Sequence, residues 1–439
     1  MKWTLWMAIL LGMLGTVQAQ RYPSSNAARL YSSFQTAMLN YYGEDMGKVP
    51  GLLKKYASLT EQTCEKQKRC QSSDAEKQIR ALLSELGDAH TDLYGYRSAW
   101  DESLGNSLQS LLENELGVYL TRKEGHWYVK FVMYGGEGDV NGLRQGDEIL
   151  AAGGLDLERQ DFVWKLDLQE RPQVLVDRQG KRLKITLSKK AQKEYWQKAT
   201  YKIQQDVAIL QIPTFYSEPG RFEKQKAQLP ISESVHQAVR ELQEKGVDQL
   251  VLDLRYNGGG WMDECAASSS AFVKTFKVYQ DTKFTSGFMR VQKGQVLTYD
   301  RSKVLKGIPF PIRRTAVQKP AFWNPEVVVL VNEDTASCGE WFTYQLQRNG
   351  RARVIGTPTF GIMNTSTQSQ SLGAFYTLQI TMLRSLHEDF SLYPKRITPD
   401  QVVQNTLIED LQLQSALASF EQQQKPSLPL QNPLSAQSP

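Results

Sequence analysis

A serine and a cysteine stand side by side in the segment EDTASCGEWF, and either side chain is chemically able to act as a nucleophile. The apolar run VVVLVN before them predicts a buried strand, and the residues after them have helical spacing. In open α/β sheets, ligands bind beyond the carboxyl ends of the strands, where a helix N-terminus also presents free N–H groups. This position makes Ser337 a candidate nucleophile. The alternative is that Thr335 or Ser337 only caps the helix.

Three glycines follow a second predicted buried strand, in DLRYNGGGW. Glycines at the end of a strand are unfavourable unless the backbone must turn sharply or approach another group closely. The N–H groups of Gly258 or Gly259, together with that of Cys338, could bind the oxyanion formed when Ser337 attacks a carbonyl. The alternatives are a phosphate-binding loop or a plain tight turn.

A serine nucleophile needs a base whose pKa is near neutrality, and histidine is the usual choice. The sequence has four histidines, His90, His126, His236 and His387. His90 directly follows a predicted helix and is flanked by Asp88 and Asp92, either of which could orient its ring or serve as a cap. His126 lies at a turn and His236 on a polar helix face. His90 is a candidate base, and the alternative is that it is a surface or structural residue. With an unperturbed pKa, activity would rise between about pH 5 and 7.

The elements that must position these residues follow from the apolar periodicity. Residues 20–110 have mostly helical spacing and are predicted to form an N-terminal helical domain. Residues 113–190 are rich in strands. Residues 200–420 alternate strands with helices, which implies a mainly parallel sheet covered on both faces. Residues 421–439 are rich in Gln, Pro and Ser and are predicted to be disordered.

The N-terminus, MKWTLWMAILLGMLGTVQAQ, is typical of a secretory signal peptide over residues 1–19, cut after Ala19. The alternative is a membrane anchor, but the apolar run is too short to span a bilayer comfortably. We therefore predict an exported protein, periplasmic or secreted, without a stable membrane span.

Composition limits the partners. The net charge of +5 is spread over 439 residues without a dense Lys/Arg block, so nucleic acid is not implied. The four cysteines are Cys64, Cys70, Cys265 and Cys338, and no Cys/His cluster has metal-ligand spacing. Export makes disulfides possible. The sequence does not decide whether Cys64 pairs with Cys70 or Cys265 with Cys338.

The strand-rich segment resembles a PDZ domain. The resemblance rests on the phrase from Gly142-Leu143 through Gly146-Asp147 and Ile149-Leu150 to Gly153. PDZ domains add a peptide as an extra strand and capture its terminal carboxylate with backbone N–H groups. The resemblance implies Leu116, Gly117 and Val118 as the carboxylate loop. The alternative is a small barrel that serves only as a spacer or lid.

Together, these segments resemble the tail-specific, C-terminal-processing serine peptidases, in particular the branch of the tricorn core and its bacterial relatives. The motifs occur in family order between about Ala81 and Val402: LGDAHT, a PDZ domain, DLRYNGGG, VNEDTASCGEWF, VIGTPTFG and ITPD. The resemblance implies an α/β core with a mainly parallel sheet of the ClpP/crotonase kind, an inserted PDZ-like domain and a helical domain before it. It also implies peptide hydrolysis without a metal or cofactor.

One branch of that family pairs the serine with a lysine just after TFG, where this chain has Ile362. The other branch uses a serine, a histidine and an acidic residue. The resemblance therefore implies Ser337 as nucleophile and His90 as base, with Gly258 or Gly259 and Cys338 as oxyanion donors.

The chain departs from this branch in two places. The residue before His90 is Ala89, where the tricorn core has a hydroxyl group. Arg396 replaces a glycine near the C-terminal motif, and the nearest acidic residues are Glu388 and Asp389. Glu388 is the candidate for the acidic member.

Cys338 is the rival nucleophile, because a thiol at a helix N-terminus has a lowered pKa. In an exported enzyme such a thiol is prone to oxidation, and Cys265 could bond to it. We favour Ser337, because the family resemblance implies it.

The sequence therefore predicts an exported serine endopeptidase that cuts protein or peptide substrates recognised by their C-terminus. Two alternatives remain open. One is a catalytically inactive peptide- or ligand-binding protein on the same fold, and the other is a scaffold in which only the PDZ-like domain acts.

Overall fold

The computed structural model describes residues 25–44, 46–66, 70–95, 107–157, 168, 171–188, 195–217, 229–305, 308–373 and 375–424. The predicted signal peptide lies outside these residues. The described residues fall into two compact units, one within Met1–Gly95 and Gln368–Ile380 and the other within Tyr96–Thr367 and Thr381–Pro439. Among the described residues, no helix is long and apolar enough to cross a membrane.

The described helices and strands are as follows, in chain order. The helices are α1 (Asn26–Tyr41), α2 (Val49–Glu65), α3 (Ser72–Leu86), α4 (Ser107–Leu116), α5 (Glu137–Asn141), α6 (Ile231–Glu244), α7 (Met262–Ser269), α8 (Cys338–Arg348) and α9 (Leu411–Gln424). The strands are β1 (Asp92–Gly95), β2 (Val118–Lys123), β3 (His126–Val132), β4 (Glu148–Ala152), β5 (Leu155–Asp156), β6 (Gln173–Arg178), β7 (Lys181–Thr186), β8 (Thr200–Gln204), β9 (Val207–Gln211), β10 (Gln249–Asp253), β11 (Thr275–Thr282), β12 (Ser286–Gln292), β13 (Gln295–Leu305), β14 (Ile308–Ala316), β15 (Val327–Val331), β16 (Ala352–Gly356), β17 (Thr365–Gly373), β18 (Tyr376–Leu386) and β19 (Gln401–Val402).

The first unit contains the helices α1 to α3. Leu30, Phe34 and Met38 on α1 are buried, as the helical spacing predicts. α3 ends at Gly87, whose φ of 74° is in the left-handed region, and a short turn leads to β1. β1 pairs antiparallel with the first residues of β18, which the sequence periodicity did not indicate.

A mainly parallel sheet forms the centre of the second unit, as predicted. Its order is β19-β16-β15-β10-β9-β8, and only β8 pairs antiparallel. Alternate residues of β9, β10 and β15 face α6, α7 and α8 on one side and α9 on the other. Burial on both faces explains why Val327–Val331 is apolar throughout.

A second sheet in this unit was not predicted. β11, β12, β13 and β14 form an antiparallel meander, and the last residues of β18 pair with β11. The interpretation of residues 200–420 as strands alternating with helices is therefore wrong for 275–316. These strands alternate polar and apolar residues because only one face of much of the meander is buried, as the pattern of β11 shows.

The third sheet lies within residues 118–186 and has the order β2-β3-β4-β6-β7, with β5 paired to β4. It has its own apolar core, to which α4 contributes Leu112 and Leu116. Strands therefore occur where the sequence predicts them, and the PDZ identity of this segment stays a prediction.

The predicted disordered tail begins too early. α9 continues through Gln424, so the prediction is wrong for residues 421–424, while 425–439 lie outside the described residues. The helix persists because Ala416, Leu417 and Phe420 pack against the central sheet.

A buried arginine connects α9 to the loop after β10. The Arg255 side chain is 1% exposed, and its guanidinium donates to both carboxylate oxygens of Asp253 and of Asp410 over 2.6–2.9 Å. Burial opposes the charge of Asp410, but Arg255 outweighs it and lowers the pKa of this carboxyl group. Asp410 also accepts from the N–H of Leu413 in the first turn of α9.

We expect Asp410→Ala to lower the free energy of unfolding by on the order of 3 kcal/mol, because it leaves a buried guanidinium with one carboxylate instead of two. Urea denaturation followed by circular dichroism measures the change. Asp389→Ala is the control, because Asp389 is exposed. Equal stability of the two variants would contradict the role given to Asp410.

Candidate active site

Ser337 occupies the corner between β15 and α8. Its φ of 52° and ψ of −115° lie in a region that residues with a Cβ atom rarely adopt. Such a conformation costs about 1–3 kcal/mol and persists only where the surroundings impose it, often at functional sites. A serine on a sharp strand-to-helix turn resembles the nucleophile elbow of other hydrolases. Thr335 does not cap α8, because its hydroxyl donates to the Leu254 carbonyl at 2.9 Å.

The buried carboxylate of Glu340 holds this corner in place. One oxygen accepts from the N–H groups of Ser337 at 2.9 Å and Ile362 at 3.0 Å. The other accepts from the Thr359 hydroxyl at 2.5 Å and the Gly361 N–H at 2.8 Å. Burial raises the pKa of Glu340, and these four hydrogen bonds oppose the rise. The sequence analysis missed this residue, although a glutamate three positions after a serine is a capping-box signal.

The glycine loop lies directly against Ser337. Gly259 has a φ of 103°, and a Cβ atom there would lie 2.8 Å from the Cβ of Ser337 and 3.0 Å from the Cys338 nitrogen. Only glycine fits this position. However, the Gly259 N–H donates to Asn257 Oδ1 at 2.9 Å. Because this N–H is already engaged, the prediction of Gly259 as an oxyanion donor is corrected.

Two of the predicted oxyanion donors remain. Gly258 is exposed, Cys338 is the first residue of α8, and no hydrogen bond among the described residues engages either N–H. Asn257, which the sequence analysis missed, is fully buried and joins the two loops. Its carbonyl accepts from the Ala336 N–H at 2.9 Å.

Both cysteine pairs are disulfide-bonded. Cys64 bonds to Cys70 in the first unit, and Cys265 on α7 bonds to Cys338 in the second. Since its sulfur is in a disulfide, Cys338 has no thiol, which rules it out as a nucleophile in this state of the protein.

His90 belongs to the first unit, in the turn between α3 and β1. The Asp88 carboxylate accepts from the His90 backbone N–H at 3.0 Å and from the Thr91 hydroxyl at 2.6 Å, so it fixes the turn. Asp92 instead accepts from the N–H of Leu93. Burial lowers the pKa of His90 to about 4, with Asp88 opposing the shift. The ring is therefore already neutral between pH 5 and 7, the range in which an unperturbed imidazole loses its proton.

The other histidines have structural surroundings. His236 is fully buried rather than on a polar face, because Ala321 and α7 pack over it. Its Nδ1 accepts from the Ala321 N–H at 2.9 Å, and its Nε2 lies 3.1 Å from the Ala267 carbonyl. His387 Nε2 lies 3.2 Å from the Tyr344 hydroxyl.

No observation supports Glu388 as the acidic member, which stays a prediction. Glu388 is exposed, and Asp389 is engaged by the N–H and hydroxyl of Ser391. The neighbouring His387 contacts Tyr344, seven residues along α8 from Ser337, or about 10 Å at the helical rise.

Among the described residues, no group of three or more His, Cys, Asp or Glu could hold a metal ion.

The predicted carboxylate loop lies at the junction of α4 and β2. Leu116 and Val118 are buried, and the Gly117 N–H donates to the Glu113 carbonyl at 2.9 Å. The loop as it stands therefore does not offer the Gly117 N–H to a carboxylate, and this site also stays a prediction.

Aromatic and charged contacts connect this sheet to both loops beside Ser337. The Tyr119 ring stacks on Tyr256 at 4.3 Å, and Phe131 lies 4.8 Å from the same ring. Tyr256 directly precedes Asn257 and has a φ of 62°. Lys130 pairs with Glu333 at 3.0 Å, four residues before Ser337.

Comparison with known proteins identifies the family of this segment. Residues 206–403 match Peptidase family S41. The S41 segment thus contains Ser337, the glycine loop and Glu340, and the family resemblance inferred from the motifs is confirmed.

Curated relatives carry peptidase names. The chain is 26% identical to the tail-specific protease of Haemophilus influenzae over 68% of its own length and 40% of the relative's. It is 21% identical to the carboxy-terminal processing protease CtpA of Bacillus subtilis over 73% of its length and 62% of the relative's. The chain therefore spans less than two thirds of either relative.

A solved structure supports the fold. The crystal structure of mature CPAF superposes with a TM-score of 0.50 over 90% of this chain and 95% of that one, at 12% identity. At this identity the likeness concerns only the fold, which is of mixed α/β type.

The lowered pKa of His90 predicts a pH dependence of stability. As the pH falls below about 6.5, the unfolded state binds a proton that the folded state does not bind until about pH 4, so stability is lost in that window. We expect His90→Gln to remove up to roughly 3 kcal/mol of this loss. Urea denaturation at pH 7 and pH 4 measures it.

The control is the same pair of proteins between about pH 7.5 and 8.5, where neither state binds the proton and the difference between them should be constant. His236, whose pKa burial also lowers, is present in both proteins and cancels. An identical loss of stability in acid for both proteins would contradict the burial of a neutral His90.

Proposed function

We propose that this chain is an exported serine-type endopeptidase that hydrolyses peptide bonds of protein substrates through an acyl-enzyme on Ser337, with His90 as general base. The observation that carries the proposal is the left-handed backbone of Ser337 at the start of α8. The unengaged N–H groups of Gly258 and Cys338 and the match to Peptidase family S41 support it.

In the proposed reaction, the neutral His90 ring accepts the hydroxyl proton as Ser337 Oγ attacks the scissile carbonyl. The N–H groups of Cys338 and Gly258 donate to the oxyanion of the tetrahedral intermediate. His90 then protonates the leaving amine, and water hydrolyses the ester on Ser337 by the same steps.

Export is supported by the signal-peptide pattern of residues 1–19 and by the two disulfides, because disulfides persist in oxidising compartments. The names of the relatives support substrates that are processed at the C-terminus.

The alternative is a catalytically inactive ligand-binding protein. It is favoured by one observation. The three residues directly before Arg396 are Tyr393, Pro394 and Lys395, and none of them carries a carboxylate. Tyr393 is buried and accepts hydrogen bonds from Arg348 and Gln345.

A fluorophosphonate probe, which modifies activated serines, distinguishes the two. We expect it to label wild type, to fail with Ser337→Ala, and to react at least roughly 100-fold more slowly with His90→Ala, because general-base catalysis contributes about 10²–10⁴-fold. Mass spectrometry of the labelled peptide measures the site and the rate.

In Cys338→Ala, any label should still be found on Ser337, since the sulfur is not the nucleophile, and Cys64→Ala/Cys70→Ala is the matched control for the labelling rate. Absence of labelling in folded wild type would favour the ligand-binding alternative. His90→Ala reacting at the wild-type rate would exclude His90 as the base.

We further propose that β2 is the strand to which a substrate peptide adds. In the described part of the chain, β2 pairs on one side only, with β3. Leu120 lies opposite Val129, whose own N–H and carbonyl bond Asp147 and Gly146 on the far side. In an antiparallel pair, Leu120 must then direct its polar groups away from β3.

Side chains of α4 hold those groups. Glu113 Oε1 accepts from the Leu120 N–H at 2.8 Å, and Gln109 Nε2 donates to the Leu120 carbonyl at 3.4 Å. These side chains stand where the backbone of an added peptide strand would bond, so a peptide must displace them.

We expect Glu113→Ala to tighten the binding of an apolar peptide with a free C-terminus by up to roughly tenfold, because the peptide no longer competes with a charge-assisted hydrogen bond. Fluorescence anisotropy in a Ser337→Ala background measures the affinity. Glu115→Ala, an exposed position on the same helix, is the control.

Circular dichroism first confirms that the Glu113 variant is folded. Unchanged or weaker binding by Glu113→Ala would exclude the edge of β2 as the peptide site. The same peptide with an amidated C-terminus is also measured. Equal affinity for the amidated and the free peptide would exclude recognition of the terminal carboxylate.

A further inference from the structure

The disulfide between Cys265 and Cys338 joins α7 to α8, the helix that begins directly after Ser337. Cys338 is the first residue of α8, immediately after the proposed nucleophile. Cys265 lies in the first turn of α7, where its N–H donates to the carbonyl of Trp261 at 3.1 Å. Trp261 directly follows the glycine loop. The disulfide therefore connects the first turn of α7, which follows the glycine loop, to the first turn of α8, which follows Ser337.

The glycine loop and the corner at Ser337, which form the two sides of the candidate oxyanion pocket, are therefore connected at two points. On the strand side, the Ala336 N–H donates to the Asn257 carbonyl at 2.9 Å. On the helix side, the covalent bond between Cys265 and Cys338 spans 73 residues of sequence. The Cys338 N–H, one of the two unengaged donors, belongs to the same residue as the bonded sulfur.

We propose that the Cys265–Cys338 disulfide is a positioning element of the oxyanion pocket, and that full peptidase activity is acquired only when it forms. The inference rests on the proposed function. The bond fixes the first turn of α8 relative to the glycine loop, and thereby the Cys338 N–H relative to that of Gly258. Without it the donors are less well aligned with the oxyanion, and loss of one such donor lowers kcat by about 10²–10³-fold.

The chemistry is thiol–disulfide exchange with a disulfide donor, of the class found in oxidising compartments. The two thiols of Cys265 and Cys338 are oxidised to the disulfide. The donor disulfide is reduced to a dithiol and takes up both protons.

Burial makes this step effectively one-way. Cys265 is 0% and Cys338 2% exposed, so a reductant cannot reach the sulfurs of the folded protein without opening it. The bond is therefore set during folding. A chain that folds in a reducing compartment lacks it and has a poorly aligned pocket, whereas an exported chain gains it.

The first experiment compares Cys265→Ala/Cys338→Ala with the matched control Cys64→Ala/Cys70→Ala, which removes the other disulfide. We expect kcat for a peptide substrate to fall at least roughly tenfold in the first variant, with KM changed less than about twofold, because the N–H acts on the transition state. The control should keep the wild-type kcat.

A second experiment does not depend on the folding of the first variant. In the Cys64→Ala/Cys70→Ala background, the only thiols are those of Cys265 and Cys338. The protein is refolded with or without oxidised glutathione, and free thiols and kcat are measured together. We expect kcat to rise in proportion to the loss of thiols.

A folded, thiol-containing form with the kcat of the oxidised protein would overturn the inference, as would a loss of activity that appears only in KM. Wild type that neither cleaves peptide nor reacts with the fluorophosphonate would overturn the proposed function, and this inference with it.

Discussion

The candidate site depends on one backbone constraint, the left-handed conformation of Ser337. A residue with a side chain adopts it only when its surroundings supply the missing free energy. Here the buried Glu340 carboxylate binds the Ser337 N–H and, at the same time, the loop that contains Gly361. The close approach of the neighbouring loop then requires a glycine at position 259, where a Cβ atom would collide with Ser337.

Buried charges carry much of the positioning around this corner. Arg255 is held between Asp253 and Asp410, which fixes the start of the glycine loop against α9. Charges in such positions are expensive to desolvate and favourable only when fully paired. Asp253 ends β10 and Arg255 lies two residues beyond it, so these paired charges fix the backbone where the glycine loop begins.

The sheet of residues 118–186 and the S41 segment share the surroundings of Ser337. Tyr119 and Phe131 pack on Tyr256 beside the glycine loop, and Lys130 pairs with Glu333 beside the nucleophile corner. A peptide added to β2 would neighbour the strand that carries Tyr119. In physical terms, recognition and cleavage are proposed to use surfaces joined by side-chain packing rather than by a flexible linker.

The sequence by itself determined many of the elements and the candidate chemistry at their ends, but not the antiparallel meander of residues 275–316. Apolar runs predicted the buried strands, and local motifs indicated Ser337, the glycine loop and His90 as candidates, because periodicity and turn chemistry act over a few residues. Only the tertiary structure decided which groups are already engaged. Asn257 accepts a hydrogen bond from the Gly259 N–H, Cys265 forms a disulfide with Cys338, and burial lowers the pKa of His90. Engagement of a sulfur or a ring depends on residues far apart in the chain, and that of Gly259 on a loop conformation that composition alone does not specify.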